Sequence, residues 1–177
     1  MGLFRLIVLL ISLHVYSGAL AQDVFDAARQ GDLKRLEQLY KLKPDTVNAV
    51  NEAGFPVLVI AGYHHQNEAV EFLLRHGANI HMDSPEGPVL LAAAYKGYND
   101  LFILLLTYKP DVNASNELGT TALMYAAMRG NEEMVKQLLA AGAKKETKEK
   151  SGRTALYYAQ LSGHEKLMIC LKNESEP

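Results

Sequence analysis

The sequence predicts an all-α fold: a row of about five short helix-turn-helix units, three central and two capping, behind a cleavable leader. Three observations predict it. Turn residues recur at Gly31, His65, Gly97, Gly130 and Gly163, at intervals of 34, 32, 33 and 33 residues. At one offset behind four of them stand Leu39-Tyr40, Leu73-Leu74, Leu105-Leu106 and Leu138-Leu139; just ahead of all five stand Ala27-Ala28, Ala61-Gly62, Ala93-Ala94, Ala126-Ala127 and Ala159-Gln160. Agreement at several fixed offsets is the mark of a repeat array. The third observation is the cleanest copy, 116–143, which reads as two helices joined at Gly130.

The elements follow in chain order. Residues 1–21 carry Arg5, then the apolar run Leu6 to Leu13, then Ala19-Leu20-Ala21, the pattern of a secretory signal peptide. The run is too short for a bilayer core of about 30 Å. Cleavage after Ala21 predicts an exported chain, periplasmic or secreted, of 156 residues with no further membrane span. That is the size of one domain. The repeats are set at about 22–50, 51–82, 83–115, 116–148 and 149–173.

The first unit opens with Asp23 as an expected N-cap, shows water polar side chains at Asp26, Arg29 and Gln30, and is stopped by Pro44. In the second, Val57 to Ile60 is wholly apolar and Tyr63-His64-His65 stands where a glycine would end the helix. The third holds Leu101 to Leu106, an apolar run expected to be buried between neighbours. In the fourth, Thr121 is placed to cap a helix over Ala122 to Met128, and Met134, Val135, Leu138 and Leu139 share one face of the next. The fifth runs from Glu149 to Leu171, with Lys166, Lys172 and Asn173 outward, as a closing cap. Helices this short cannot bury their apolar faces within one unit, so neighbours must cover them.

The wording GTTALMYAAMRGNEEMVKQLLAAGA, with weaker echoes in GFPVL, GRTALYYA, HGANIH and PDVNA, resembles the ankyrin-repeat family over all of the chain after the leader. That resemblance implies an ankyrin-repeat solenoid. The family's Thr-Pro-Leu-His reads here Pro56-Val57-Leu58-Val59, Pro88-Val89-Leu90-Leu91, Thr121-Ala122-Leu123-Met124 and Thr154-Ala155-Leu156-Tyr157; no copy keeps the histidine, so the hydrogen bonds it shares with the threonine are at most partial. Glu86-Gly87 implies an altered finger in the third copy.

The resemblance also implies where contacts form: on the finger tips and the two residues before each inter-helix anchor. Those positions read Arg29, Tyr63, Tyr95, Met128 and Leu161 in one row and Gln30, His64, Lys96, Arg129 and Ser162 in the other. Large amphipathic groups beside cations are the composition of binding hot spots. The expected partner-binding residues are therefore Phe55, Tyr63, His64, Tyr95, Lys96, Met128 and Arg129, with Tyr108 near the same groove. The expected partner is another protein with an acidic patch, met by a monomer.

Composition excludes other classes. The formal charge is −2, or −3 once the leader and its Arg5 are removed, which gives no reason to expect nucleic acid. Lys144 to Lys150 mixes signs and reads as a solvated finger. Cys170, the single cysteine, rules out an intramolecular disulfide and is expected to be a buried thiol. Sequons at Asn113 and Asn173 matter only in a eukaryotic host. Neither phosphate loop, nucleophile elbow nor HExxH motif is present, so no catalytic residue, cofactor or metal ligand is assigned and the chain is read as non-enzymatic. The alternative is a periplasmic small-molecule or metal-binding protein using His64 and His65. His76 and His81 complete a group of four histidines in that repeat, but the adjacent pair point apart.

Overall fold

The computed structural model describes residues 22–172; the leader and the Asn173 sequon lie outside them. The described residues form two compact units that divide between Ala78 and Asn79. A repeat array is held by near-neighbour contacts, so a chain of hairpins has natural places to divide.

The first unit contains α1 (residues 22–30), α2 (Leu33–Leu42), a 3-10 turn (Pro44–Asn48), α3 (Val57–Tyr63) and α4 (Asn67–Arg75). Asp32 caps α2 by accepting from the Arg35 N–H at 3.0 Å, and Pro44 ends that stretch by opening the 3-10 turn. Asp23 does not cap α1. The helix already includes it, and its carboxylate pairs with the Arg35 guanidinium from α2.

The second unit contains α5 (Val89–Lys96), α6 (Asn99–Thr107), α7 (Ala122–Met128), α8 (Glu132–Ala140), α9 (Ala155–Leu161) and α10 (Glu165–Lys172). Helices α5, α7 and α9 pack side by side, and each is backed by the helix that follows it. Ala93, Ala94, Ala126, Ala127 and Ala159 are fully buried at these contacts, which is how small side chains let helices approach. Leu101, Phe102, Leu105, Met134, Val135, Leu138 and Leu167 fill the space behind them. The apolar run in α6 is buried on one face only: Ile103 is 49 % exposed, since an outer helix has a neighbour on one side and water on the other.

Fingers join the hairpins, and they share one turn. The N–H groups of Gly54, Gly87, Gly119 and Gly152 return to the carbonyls of Asn51, Ser84, Asn116 and Glu149, at 2.8 to 2.9 Å. In three fingers a side-chain oxygen of the leading residue also holds the loop. Asn51 Oδ1 accepts from Ala53 and Phe55, Asn116 Oδ1 from Leu118 and Thr120, and the Glu149 carboxylate from Ser151 and Arg153. The finger of the third repeat, Ser84 to Gly87, is one residue shorter after its glycine, the source of the 32-residue interval. There the Ser84 hydroxyl donates to the Gly87 carbonyl at 2.6 Å, so the turn survives with a different closing bond.

Thr121 and Thr154 cap α7 and α9, accepting from Met124 and Tyr157, while Pro56 and Pro88 offer no side-chain cap. The threonine's share of the motif's hydrogen bonds is thus kept in two copies, and the histidine's in none. His65 takes the anchor's left-handed conformation, φ 59°, beside Gly31, Gly97, Gly130 and Gly163 at 69° to 77°, and Lys109 sits at 52°. Such a backbone costs a non-glycine residue about 1–2 kcal/mol, part of which glycine returns through its freer unfolded chain. His65→Gly and Lys109→Gly are each expected to raise stability by about 0.5–1 kcal/mol. Urea unfolding checks this through a higher midpoint at unchanged slope.

Candidate protein-binding surface

The expected contact residues fall in both compact units. In the first, Tyr63 and His64 end α3 with ring centroids 5.7 Å apart, and both are exposed. Phe55 lies half-buried in the finger before them, its N–H held by Asn51 Oδ1 at 2.9 Å.

In the second unit the structure brings Tyr95, Lys96 and Arg129 together. Tyr95 is 47 % exposed at the end of α5, and the Lys96 ammonium lies 5.9 Å from its ring centroid. Arg129 Nη1 donates to the Tyr95 carbonyl at 2.9 Å, and the guanidinium covers Gly97 so closely that a Cβ there would meet Nε at 2.8 Å. Ser162 repeats this one hairpin on, its hydroxyl donating to the Met128 carbonyl at 3.1 Å. The two rows therefore divide the work. In this unit the carbonyls of Tyr95 and Met128, in the first row, are bound by Arg129 and Ser162 of the second, which ties successive hairpins together. First-row side chains such as Tyr95 and Met128 are left facing water.

Several residues at this surface were missed from sequence. Tyr125 stacks edge-on against Tyr95, with centroids 5.3 Å apart, and its hydroxyl accepts from Asn116 Nδ2 at 3.1 Å. Burial, then the nearby Glu86 carboxylate, pushes the Tyr125 phenol above its ordinary pKa, so it stays a neutral group. Further along, Tyr157 meets Tyr158 at 5.7 Å and the Arg153 guanidinium lies 5.3 Å from the Tyr157 ring centroid. Tyr125 and Tyr158 are 33 residues apart, so the repeat length alone placed them in one register. Tyr108 is the C-cap of α6.

Other expectations are corrected. Glu149, read as part of a solvated finger, is buried, because its carboxylate binds the N–H groups of its own loop. Those bonds, Ser151 first and against the opposing effect of burial, hold its pKa below that of an ordinary glutamate. A depressed carboxylate stabilises the fold fully above its unfolded pKa and loses that contribution as pH falls through the folded one. The unfolding temperature should therefore decline as pH falls below the ordinary glutamate range, and Glu149→Gln, which keeps an acceptor, should flatten that decline. Cys170 is half-buried at the rim of α10, short of full burial. Among the described residues no group of three or more His, Cys, Asp or Glu is placed to hold a metal ion. His76 Nδ1 instead meets the Phe72 carbonyl at 2.7 Å, with its ring packed against Phe72 and Tyr40. Nor is any helix among them long and apolar enough to cross a membrane.

Comparison with known proteins agrees with this architecture. The family model for ankyrin repeats, in a form of 3 copies, matches residues 24–116 and 89–176. The mitochondrial disaggregase of Bos taurus is 28 % identical over 151 residues, 81 % of this chain and 22 % of that protein. Protein phosphatase 1 regulatory subunit 27 of Mus musculus is 28 % identical over 96 residues, 53 % of this chain and 62 % of that protein. The chain thus spans less than two-thirds of each of these relatives. Repeating anchors, stacked hairpins, hydrogen-bonded fingers and the family match converge: the chain belongs to the ankyrin-repeat family and is built as a protein–protein interaction module.

Proposed function

We propose that this is an exported, non-enzymatic binding protein that captures a protein partner by that partner's acidic patch, as an accessory factor or an immunity-type inhibitor. One observation carries the reading. Tyr95 and Met128 are solvent-exposed at the ends of α5 and α7, and Lys96 lies beside the Tyr95 ring. Rigid aromatic area beside a cation, on a scaffold already ordered by its own hydrogen bonds, is suited to contact at low entropic cost. Lys96 supplies charge complementarity, which acts mainly on association rate and specificity. Phe55, Tyr63 and His64 offer a second group of the same composition in the first unit. Residues 1–21 support export by their sequence pattern. One relative is named as a regulatory subunit, a role that works by contact.

The test is a comparative capture from the native envelope fraction with wild type and Tyr95→Ala/Lys96→Ala. Both side chains are outside the core, so the unfolding temperature should stay within about 2 °C. A partner held by wild type should be absent from the variant's eluate. Equal recovery by both would remove this surface from the account. Arg129 is left intact because its guanidinium ties two hairpins together.

A further inference from the structure

The finger of the fifth repeat is opposite in charge to the other three. The stretches that end on the finger glycines carry a net formal charge of −2 at 45–54, from Asp45 and Glu52, −2 at 78–87, from Asp83 and Glu86, and −2 at 110–119, from Asp111 and Glu117. At 143–152 the value is +2, from Lys144, Lys145, Lys148 and Lys150 against Glu146 and Glu149, and Arg153 follows directly. The structure sharpens this excess. Glu149 is buried, its carboxylate accepting from the Ser151 and Arg153 N–H groups at 2.7 and 3.2 Å, so one of the two acids is turned into its own loop. Lys144, Lys148 and Lys150 are exposed, and none of them meets a carboxylate among the described residues.

These cations stand on an ordered frame with one side open. The Lys144 N–H donates to Asn113 Oδ1 at 2.8 Å, the Lys150 N–H to the Leu118 carbonyl at 2.9 Å and the Gly152 N–H to the Glu149 carbonyl at 2.8 Å, so the loop backbone is fixed before a partner arrives. A Cβ on Gly87 would meet the Asn116 backbone N at 3.3 Å, and one on Gly119 the Glu149 Cα at 3.2 Å, whereas one on Gly152 would meet nothing within 4 Å. The side that a following finger covers in those two repeats is therefore uncovered here, among the described residues. Beside it the Arg153 guanidinium lies 5.3 Å from the ring centroid of Tyr157, a residue 40 % exposed.

We propose that the finger from Lys144 to Arg153 is the docking site for an acidic segment of the protein partner, whose carboxylates pair with Lys144, Lys148, Lys150 and Arg153. This rests on the reading of the protein as a binder of acidic protein surface, and it adds to Lys96 a denser set of cations in the same unit. A loop already ordered by its own hydrogen bonds loses little freedom on contact. The exposed Glu146 decides the kind of partner. A nucleic acid carries negative charge without a break along its backbone and would set some of it against Glu146, where like charges repel. A protein segment can place a neutral or basic residue there and its carboxylates on either side.

The experiment is fluorescence anisotropy of a labelled decaglutamate peptide on the full chain, at about 20 and about 200 mM salt, alongside Lys144→Gln/Lys148→Gln/Lys150→Gln and, separately, Tyr95→Ala/Lys96→Ala. The three lysines are exposed, so circular dichroism should show the triple variant folded, with an unfolding temperature within about 2 °C of wild type. Wild type should bind the peptide at low salt and release it at high salt. The triple variant should bind at least about tenfold more weakly, the effect of losing three exposed ion pairs, and Tyr95→Ala/Lys96→Ala should lose less. Three results would overturn the proposal: no binding by wild type at low salt, equal binding by the triple variant, or a labelled single-stranded DNA decamer held more tightly than the peptide. A loss confined to Tyr95→Ala/Lys96→Ala would also overturn it while leaving the Tyr95 surface in place, so the two readings fail separately.

Discussion

Phe102→Ala is expected to destabilise the second unit by about 3–5 kcal/mol, the upper end of what a single core truncation costs. Phe102 is the largest fully buried side chain in the described residues, with no exposed surface on α6. Its removal takes away the transfer free energy of an aromatic ring and leaves a cavity that the α5–α6 packing can only partly close. The loss is comparable to much of a domain's net stability, about 5–15 kcal/mol. Chemical unfolding should show a sharply lower midpoint. Phe102→Leu, which keeps most of the volume, should recover more than half of the loss. Ile103→Ala, one residue along the same apolar run but half exposed, should cost well under half as much. Equal losses at 102 and 103 would mean that α6 is buried all round, as its sequence suggested.

The next largest effect is expected from Asn116→Ala, at about 2–3 kcal/mol. Asn116 is buried, its Oδ1 accepts from Leu118 and Thr120, and its Nδ2 donates to the Tyr125 hydroxyl. Alanine strands two loop N–H groups and a half-buried phenol at once, and stranded buried groups cost more than a bond was worth. Asn116→Asp keeps the acceptor and loses only the donor, so it should be milder. Because Tyr125 packs against Tyr95, amide exchange in Asn116→Ala should accelerate in the fourth finger and at the start of α7 before it does elsewhere. Uniform acceleration would contradict a local role for this side chain.

Much of this architecture was legible because the information is local and repeated. The anchor glycines, the Thr121 and Thr154 caps and the Leu138 face are set by positive φ, by an oxygen one turn ahead of a helix, and by helical spacing. Each can be read within about ten residues of chain. What was not legible depends on the next helix or hairpin. Arg129 looked like a solvent-facing cation until its partner, the carbonyl of Tyr95 34 positions earlier, was in view. Asp23 looked like a cap, but it lies inside α1 and its carboxylate meets Arg35 from α2. Glu149 sat in a charged stretch that read as solvated, and only the loop amides gathered around its carboxylate show why it is buried. The third finger stood out by its order of residues, but its cause, one missing position repaired by Ser84, needed the hydrogen bonds.

For the surface, the spacing identified Tyr95, Lys96, Met128 and Arg129, whereas structure divided them by task. Side chains at Tyr95, Lys96 and Met128 are offered outward or lie at the rim, and Arg129 is a brace. Tyr125 and Arg153 add to the aromatic and cationic character of the second unit, Tyr125 through its contact with Tyr95 and Arg153 over the Tyr157 ring.

The most direct test of the central claim is a titration of the captured partner against wild type and Tyr95→Ala/Lys96→Ala, at low and at high salt. If contact through this surface is the protein's output, the double substitution should weaken the dissociation constant at least about tenfold, equivalent to about 1.4 kcal/mol. Wild-type association should also slow as salt screens Lys96, an effect reduced in the variant. A dissociation constant unchanged by the two substitutions, on protein that unfolds at the same temperature, would contradict the account.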